Sequence, residues 1–431
     1  SRKPRNFLWR TFSFIHSPLW TANPRRTCLF STFPHNFVLL RLLLQNILSL
    51  FLSKRAGTFE RGVLMKFSCE KAILNGALGA VSRAVAAKSS IPSLEGILVR
   101  ASANLLLTGY NLETGITASM GAEVTEPGSC VMPAKLFSDI IRKLPDDVVT
   151  VYVDDDYRVT IQCGISSFSI TAMTSEDYPG LPDVEYDSGV IITQKNLRDL
   201  INGTIFAVSE NQARPIHTGC LFEINDDILT MVSVDGYRLA LRRAPVEAGR
   251  AMKFVVPGAA LREVEKLLSD TDEKAVFTLG TKHISFAASG VTLVCRLLEG
   301  EFLDWRRVVP TDNPILMTAA RMKLYNAIDR MSLVISEKVK TPVRCTFDEN
   351  EVDLKTSSTV GAAHDTCPLA GDGKGLEIGF NCRYLLDAIR AVPDDEVTLE
   401  LSNSLSPIVL TPTDGSNRFA YMVLPVRLKA E

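Results

Sequence analysis

Hydrophobic and polar positions follow the same order of periodicities three times along this chain. In three stretches, apolar residues recur at helical spacing and then pass into a strand-like alternation of apolar and polar residues. The predicted helices of these stretches start at Pro133, Pro257 and Asn381, which are 124 residues apart each time. Equal spacing of helix-then-strand units predicts three copies of one domain.

A second amphipathic helix is predicted near the start of each copy, over residues 69–87, 193–209 and 319–334. The second and third of these helices are expected to begin at Thr193 and Thr318, whose hydroxyl groups would cap them. Short alternating runs bounded by polar turns follow each helix, as β-hairpins require. Each third should therefore contain two helices and roughly eight strands, an α+β fold with the helices on one face of antiparallel sheet.

The predicted boundaries between the copies fall in two connectors that combine Pro, Gly and acidic residues, at residues 174–189 and 298–314. Tyr178 and Phe302 occupy matching places in these connectors, again 124 residues apart. The expected domains are residues 65–186, 190–311 and 312–431.

Residues 1–64 lie outside the repeat and differ from it in composition. They carry ten Lys or Arg and a single acidic residue. Their apolar run from Phe37 to Leu52 is interrupted by Arg41 and is shorter than the roughly 20 residues that a membrane-spanning helix needs. We interpret the segment as an extension outside the mature protein, with Met65 as the natural start. A transit peptide and a membrane anchor are the alternatives.

Charge is distributed unevenly over the chain. The net charge is −2, yet beyond residue 64 the chain carries 37 basic and 48 acidic residues. Such an acidic body repels nucleic acid unless positive charge is concentrated on one surface. One helical position is basic in all three copies, as Arg142, Lys266 and Arg390, and Lys135 and Arg383 lie two turns before it on the same face.

This repeated basic stripe favours a long anionic partner over an ordinary solvated helix face. Aromatic residues do not alternate with the basic ones, as they would on a surface that stacks single-stranded bases. We therefore expect contacts with the phosphates of a duplex, without sequence readout.

The residues that catalysis would require are sparse. The nine cysteines are scattered without a C-x-x-C pair, and the three histidines beyond residue 64 are not spaced as metal ligands. We predict no metal, no cofactor and no catalytic residue. One alternative is a nuclease that holds Mg²⁺ on Asp154, Asp155 and Asp156, although acidic clusters of this kind are typical of solvated turns. A structural β-rich assembly protein is the other.

Six segments, in order, resemble the bacterial sliding clamps, the beta subunits of DNA polymerase III. They are MKFSCEKAIL, SEDYPGLP, FAVSENQARPIHTG, VSVDGYRLALR, EGEFLDWRRVVP and YMVLPVRL. The resemblance covers residues 65–431. It implies a non-catalytic processivity factor of the cytoplasm, in which two chains associate head to tail into a closed ring of six DNA-clamp domains around duplex DNA.

The resemblance also implies the partners and the residues that meet them. The partners would be a second copy of the chain, double-stranded DNA, the replicative polymerase catalytic subunit, the ATP-dependent clamp loader, and other polymerases and repair proteins, with no membrane. Hole-lining residues would be Arg83, Lys88, Lys135, Arg142, Lys195, Arg198, Lys266, Arg330, Arg383 and Arg390. The dimer interface would include Phe168, Ile170, Leu333 and Val334.

A groove between the second and third domains would bind short peptide motifs of the partners. Its expected residues are His217, Val234, Gly236, Tyr237, Arg238, Leu239, Arg307, Val308, Asn381, Tyr384, Leu424, Pro425, Val426 and Arg427. Two positions depart from the family pattern, because His217 stands where an aliphatic residue is usual and Leu303 where proline is common.

Overall fold

Six α-helices and three antiparallel sheets make up the part of the chain that the computed structural model describes, residues 62–184, 189–335 and 341–428. The apolar run from Phe37 to Leu52 lies outside the described residues. The first strand begins at Val63, two residues before Met65. None of the described helices is both long enough and apolar enough to cross a membrane.

The helices follow the predicted repeat. They are α1 (Lys71–Val81), α2 (Ala134–Lys143), α3 (Gln194–Asn202), α4 (Gly258–Leu267), α5 (Arg321–Ser332) and α6 (Cys382–Ala391). Helices α2, α4 and α6 each begin one residue after the predicted start, with Pro133, Pro257 and Asn381 at the N-cap. The 124-residue spacing is therefore confirmed.

The other three helices are shorter than predicted. Helix α1 ends at Val81 and is followed by one turn of 3₁₀-helix. Helix α3 ends at Asn202, because the Thr204 hydroxyl donates to the Leu200 carbonyl at 2.7 Å and the next residues form a 3₁₀ turn. A side chain that bonds to the last helical carbonyls competes with continuation of the helix.

Only one of the two predicted threonine caps is present. Thr193 precedes α3, and its hydroxyl accepts a hydrogen bond from the Asn196 amide at 3.2 Å. The prediction for Thr318 was wrong, since this residue lies within a strand and the N-cap of α5 is Ala320. The backbone at Thr318 is committed to the sheet, where it lies opposite Thr398.

The strands form sheets of five, eight and ten members. The first has the order β5 (Glu123–Glu126), β1 (Val63–Glu70), β7 (Val148–Asp154), β8 (Arg158–Cys163), β9 (Ser166–Thr171). The second has the order β10 (Gly189–Thr193), β15 (Lys274–Leu279), β16 (His283–Ala288), β17 (Val291–Arg296), β4 (Thr114–Met120), β3 (Leu105–Tyr110), β2 (Gly96–Ala101), β6 (Gly128–Pro133). The third has the order β14 (Met252–Pro257), β11 (Gly219–Asn225), β12 (Ile228–Val234), β13 (Arg238–Pro245), β23 (Phe419–Val423), β22 (Ile408–Thr411), β21 (Glu396–Leu401), β18 (Ile315–Ala320), β20 (Ala362–Phe380), β19 (Val343–Ser357).

Two of the sheets run from one copy into the next. Strand β17 of the second copy pairs with β4 of the first, with Leu293 opposite Ile116. Strand β23 of the third copy pairs with β13 of the second, with Tyr421 opposite Ala240. We call these pairings the first and the second junction. Because each junction is a backbone ladder, neighbouring copies are joined by hydrogen bonds as well as by side-chain packing.

The connectors are fixed by the two matching aromatic residues. Tyr178 is buried against Leu94 and Val131, and its hydroxyl donates to the Thr108 carbonyl at 3.2 Å. Burial raises the pKa of Tyr178 above its ordinary value. Phe302 is buried in the corresponding place after the second copy. Each connector is thus anchored on the sheet of the copy that it leaves.

The cap at α3 gives a test of the helix boundary. Thr193→Ala should lower the free energy of unfolding by about 1 kcal/mol, because the Asn196 amide loses its acceptor. Thr318→Ala is the matched control and should have no effect on helix capping. Hydrogen exchange at the Asn196 amide, followed in both variants, measures the effect, and equal protection in the two would contradict the assignment.

Candidate nucleic-acid and partner-binding surfaces

Positive charge is concentrated on the helices. The six helices carry thirteen Lys or Arg and six Asp or Glu. The remainder of residues 65–431 carries 24 basic and 42 acidic residues. A duplex would therefore be attracted to the helical surface and repelled elsewhere.

Most of the predicted DNA-facing residues lie on these helices with exposed side chains. Eight are helical, while Arg83 lies in the 3₁₀ turn after α1 and Lys88 in the loop beyond it. Nine of the ten are exposed, and Arg198 is half-buried because it pairs with Glu265 at 3.3 Å. That ion pair joins α3 to α4.

The repeat also contains an acidic position that the sequence reasoning missed. Asp139, Glu263 and Asp387 are 124 residues apart, and each precedes a basic residue of the stripe by three positions. Arg142 pairs with Asp139, and Lys266 pairs with Glu263 at 2.8 Å. The same 124-residue comparison would have revealed this position.

Arg390 behaves differently from the other two residues at its position. Its guanidinium donates to the Tyr325 hydroxyl, and it lies 5.4 Å from the centre of the Tyr325 ring. The hydrogen bond to Tyr325 raises the pKa of Arg390. Asp387, the acidic residue three positions before it, pairs with Arg238 instead.

Three of the helical basic residues have neither an ion-pair partner nor an aromatic ring beneath them in the described part of the chain. They are Lys135, Lys195 and Arg383, and all three side chains are exposed. A charge without an internal partner loses less when it binds a phosphate. These residues are consequently better placed to contact a duplex than the partly neutralised Arg142 and Lys266.

The predicted groove residues fall into an apolar part and a polar part. Val234, Leu239, Val308 and Leu424 belong to one apolar cluster at the second junction, together with Phe302. The sheet positions Val234 and Leu239 are buried, whereas Val308 and Leu424 are partly exposed. This part of the surface could receive an apolar anchor side chain.

His217 lies beside the apolar part. Its ring makes an edge-to-face contact with Phe302 at a centroid distance of 5.4 Å. Burial, and then the nearby Arg214, lower the pKa of His217 below its ordinary value. Near neutral pH the ring is therefore uncharged and is compatible with an apolar neighbourhood. Leu303, the other departure from the family pattern, is exposed.

Arg238 organises the polar part. Its side chain is only 10% exposed and bonds to Asp235 at 3.0 Å and to Asp387 at 2.6 Å. Its guanidinium lies 4.5 Å from the centre of the Tyr384 ring, which stacks on Tyr237 at 6.1 Å. Since Asp387 and Tyr384 belong to α6, this arginine joins the second copy to the third.

The C-terminal residues form the edge of the same region. The Leu424 amide donates to the Tyr237 carbonyl at 2.9 Å, and the Val426 amide donates to the Gly379 carbonyl at 2.8 Å. Pro425 and Arg427 flank Val426 on this segment, which leaves the last strand of the sheet. The tail is therefore held as an extended segment.

The remaining groove residues have local roles of their own. Asn381 caps α6 by accepting from the Arg383 amide at 3.0 Å. Gly236 has φ of 92°, a conformation that favours glycine. Arg307 is 86% exposed at the rim and pairs with Asp304 at 3.1 Å.

A further cluster, not found from the sequence, fixes the connector that carries Val308. Glu223 accepts from Trp305 Nε1 at 3.1 Å and from Arg306 Nη1 at 3.0 Å. Burial raises the pKa of Glu223, but these hydrogen bonds outweigh it and bring the pKa below its ordinary value. Arg243 and Arg306 lie over the Trp305 ring at 5.5 and 4.3 Å. This arrangement positions one wall of the groove.

The acidic cluster at residues 154–156 is part of a turn. Asp154 is buried, and its Oδ1 accepts from the amides of Asp156 at 3.1 Å and Arg158 at 2.9 Å. Among the described residues, no group of three or more His, Cys, Asp or Glu side chains could hold a metal ion. The carboxylate of Asp154 therefore orders the β7–β8 turn.

The residues expected at the dimer interface lie along two strand edges. Phe168 and Ile170 are on β9, which pairs only with β8 among the described strands. Leu333 is 80% exposed and follows α5 together with Val334. Val334 accepts from the Ser358 hydroxyl, in the turn that leads into β20.

Comparison with known proteins gives one consistent result. The sequence profiles of the N-terminal, central and C-terminal domains of the DNA polymerase III beta subunit match residues 65–182, 191–304 and 306–427. The chain belongs to this family. Its fold is three tandem clamp domains, and its function is that of a sliding clamp, a non-catalytic processivity factor that interacts with DNA and polymerase partners.

Individual relatives agree with the assignment. A Beta sliding clamp of Staphylococcus epidermidis is 31% identical over 84% of this chain and 100% of its own length. The crystal structure of the DNA polymerase sliding clamp from Bacillus subtilis is 28% identical with a TM-score of 0.81, and covers 85% of this chain and 100% of its own. The beta subunit from Pseudomonas aeruginosa is 28% identical with a TM-score of 0.80, over 84% and 100% of the two chains. The family decides against the nuclease and the purely structural alternatives.

The ion pair between Arg238 and α6 should contribute to stability as well as to the groove. Arg238→Ala leaves the carboxylates of Asp235 and Asp387 without their cation, and we expect the free energy of unfolding to fall by roughly 2–4 kcal/mol. Arg238→Ala combined with Asp387→Ala should cost less than the sum of the two single changes. Thermal unfolding of the three variants measures the coupling, and strict additivity would show that the pair contributes nothing.

Proposed function

We propose that two copies of this clamp associate head to tail into a closed ring, with the first domain of one copy against the third domain of the other. The observation that carries the proposal is an aromatic residue that lacks the cover its equivalents have. Phe168 is 40% exposed, whereas Leu293 and Tyr421 are fully buried. These three residues are equivalent, because each faces the matching residue of its preceding strand, namely Ile161, Phe286 and Leu410.

The repeat supplies a partner for the exposed edge. Leu293 and Tyr421 are covered because they lie opposite Ile116 and Ala240 across the two junctions. In the third copy the residue equivalent to Ala240 is Ala363, since Ala240 lies opposite Ser233 and Ala363 lies opposite Thr356. Residues 362–368 of β20 pair with β19 on one side, and no described strand pairs with them on the other.

The register of the interface follows from this equivalence. Strand β9 of one copy should pair antiparallel with β20 of the other, with Phe168 opposite Ala363. Leu333 and Val334 adjoin the turn that starts β20, so they would cover Phe168 and Ile170 as the interface core. An exposed strand edge is a ready template for another chain, and pairing the two edges removes both of them.

The ring would enclose duplex DNA on its helical surface. In this arrangement the exposed Lys135, Lys195 and Arg383 contact phosphates directly, while Arg142 and Lys266 contribute through a partly neutralised field. Because phosphate contacts carry no sequence information, the ring would slide along the duplex. Enclosure keeps an attached polymerase at high effective concentration on its template.

Partners would bind in the groove at the second junction. The apolar part, with Val308 and Leu424 at its edge, would receive an apolar anchor of a short peptide, and the exposed Tyr237 and Arg307 would contact its flanks. The replicative polymerase catalytic subunit, the ATP-dependent clamp loader, and other polymerases and repair proteins would compete for this groove. We place the protein in the cytoplasm, and its eight described cysteines, all buried free thiols, are consistent with a reducing compartment.

The interface predicts the behaviour of two exposed apolar residues. Phe168→Ala together with Leu333→Ala should convert the dimer to monomer at low micromolar concentration, because a few buried anchors supply most of an interface's energy. Leu405→Ala is the control, since Leu405 is 75% exposed and lies away from both edges. Sedimentation equilibrium measures the outcome, and an unchanged dimer in the double variant would overturn the proposed ring.

The charge arrangement predicts unequal effects of two sets of substitutions. Replacing Lys135, Lys195 and Arg383 by Ala should flatten the dependence of log K on log salt by up to about 0.9 for each phosphate that is no longer neutralised. Replacing Arg142, Lys266 and Arg390 should have the smaller effect, because each already has an internal partner. Retention on nicked circular duplex, measured over a range of salt, compares the two, and the reverse order would contradict the assignment.

A further inference from the structure

The first junction contains a cavity that the second junction lacks. It has a volume of about 700 Å³ and lies between β4, the start of α4 and the connector that follows β17. Glu113 and Thr114 line one side, and Ala259 and Ala260 of α4 line another. None of these residues belongs to the proposed groove or to the interface between copies.

The two junctions are built on the same backbone plan. At the first, the Asn111 side-chain oxygen accepts from the amides of Glu113 and Thr114 at 3.0 and 2.7 Å. At the second, the Asp235 carboxylate accepts from the amides of Tyr237 and Arg238 at 2.9 and 3.0 Å. Thr114 therefore occupies the place that Arg238 holds in the second junction.

The helix on the other side of the cavity shows a parallel exchange. Ala260 of α4 is 124 residues before Tyr384 of α6, and Glu263 is 124 residues before Asp387. The first junction thus has Thr and Ala where the second has Arg and Tyr. It keeps the carboxylate and lacks both large side chains that pack around Asp387, so space is left open.

The carboxylate at this position is incompletely satisfied. Glu263 Oε1 accepts from Lys266 Nζ at 2.8 Å. Glu263 Oε2 is buried, and within the described residues it has no hydrogen-bond partner. Asp387, its equivalent, has the Arg238 guanidinium at 2.6 Å. A buried acceptor without a donor costs free energy that a bound donor would recover.

We propose that this cavity binds an arginine side chain of a partner peptide, which supplies from outside the guanidinium that the second junction supplies from Arg238. Charge supports this occupant, because Glu113 and Glu210 line the cavity and have no ion-pair partner in the described part of the chain. Arg296 is already held by Glu299 at 3.2 Å, so Arg262 is the one lining cation that a ligand must avoid.

The rest of the lining suits the neighbours of such an arginine. Val208, Leu297 and Leu298 contribute apolar surface to the cavity. An aliphatic residue on either side of the arginine would bury against them, while the guanidinium forms charge-assisted hydrogen bonds with carboxylates. The ligand class is therefore a short peptide of the pattern aliphatic-arginine-aliphatic.

The experiment uses the full chain and a defined probe, acetyl-Leu-Arg-Leu-amide, followed by saturation-transfer NMR titration. The matched probe has citrulline in place of arginine, which keeps the shape and removes the charge. We expect the citrulline peptide to bind about tenfold more weakly or not at all. Equal binding of the two peptides, or no binding of either at millimolar concentration, overturns the proposal.

Three variants locate the bound peptide. Thr114→Arg should fill the cavity from within and abolish binding, and Glu263→Gln should weaken binding about tenfold. Thr114→Ser should bind as the unmodified protein does. Binding that survives both Thr114→Arg and Glu263→Gln would place the peptide elsewhere. If Thr114→Arg fails to fold, Glu263→Gln decides the question.

A fourth variant separates this site from the proposed groove. Leu424→Ala lies in the groove at the second junction and should leave binding of the arginine peptide unchanged. Loss of the peptide in that variant would show that the probe occupies the groove and would overturn the assignment to the first junction. Because the cavity lies within one chain, failure of the proposed dimer would not affect this result.

Discussion

The backbone ladders at the two junctions are the constraint on which the rest of the molecule depends. A single clamp domain could bury its helices on a sheet of its own, but here β4 and β13 find their neighbours in the following copy. The positions of the helices relative to one another are therefore set by strand register and not by flexible connectors. Leu293 opposite Ile116 and Tyr421 opposite Ala240 repeat the same alignment. A slip of one residue at either junction would turn the buried side chains to the opposite face of the sheet.

Rigid placement matters because the charges on the helices act together. Thirteen basic residues on six helices attract a polyanion, while the acidic remainder prevents unproductive contacts. The acidic position that accompanies Arg142 and Lys266 moderates this attraction. A fully unpaired stripe would hold phosphates tightly at fixed points, whereas partial neutralisation leaves a smoother potential along the duplex, which suits a protein that must move.

Periodicity made the fold largely predictable from the sequence. The helices after Pro133, Pro257 and Asn381 were found because apolar spacing and a fixed repeat are properties of the chain itself. The cap at Thr318 failed because the sheet, a non-local structure, took up the backbone that the helix would have used. The same limit applies to the functional surface, where the ion pair of Arg238 with Asp387 spans 149 positions. The exposure of Phe168 likewise depends on a strand that the chain does not provide for itself.

The order in which the junctions can form follows from their place along the chain. Strand β13 ends at Pro245, but β23, its partner at the second junction, starts only at Phe419. At a synthesis rate of about 5–20 residues per second, the edge of β13 stays uncovered on the ribosome for roughly 10–35 s. An unpaired edge of this kind readily joins other nascent chains. The two arginines near the end of this strand, Arg242 and Arg243, oppose such association through their charge until the last strand arrives.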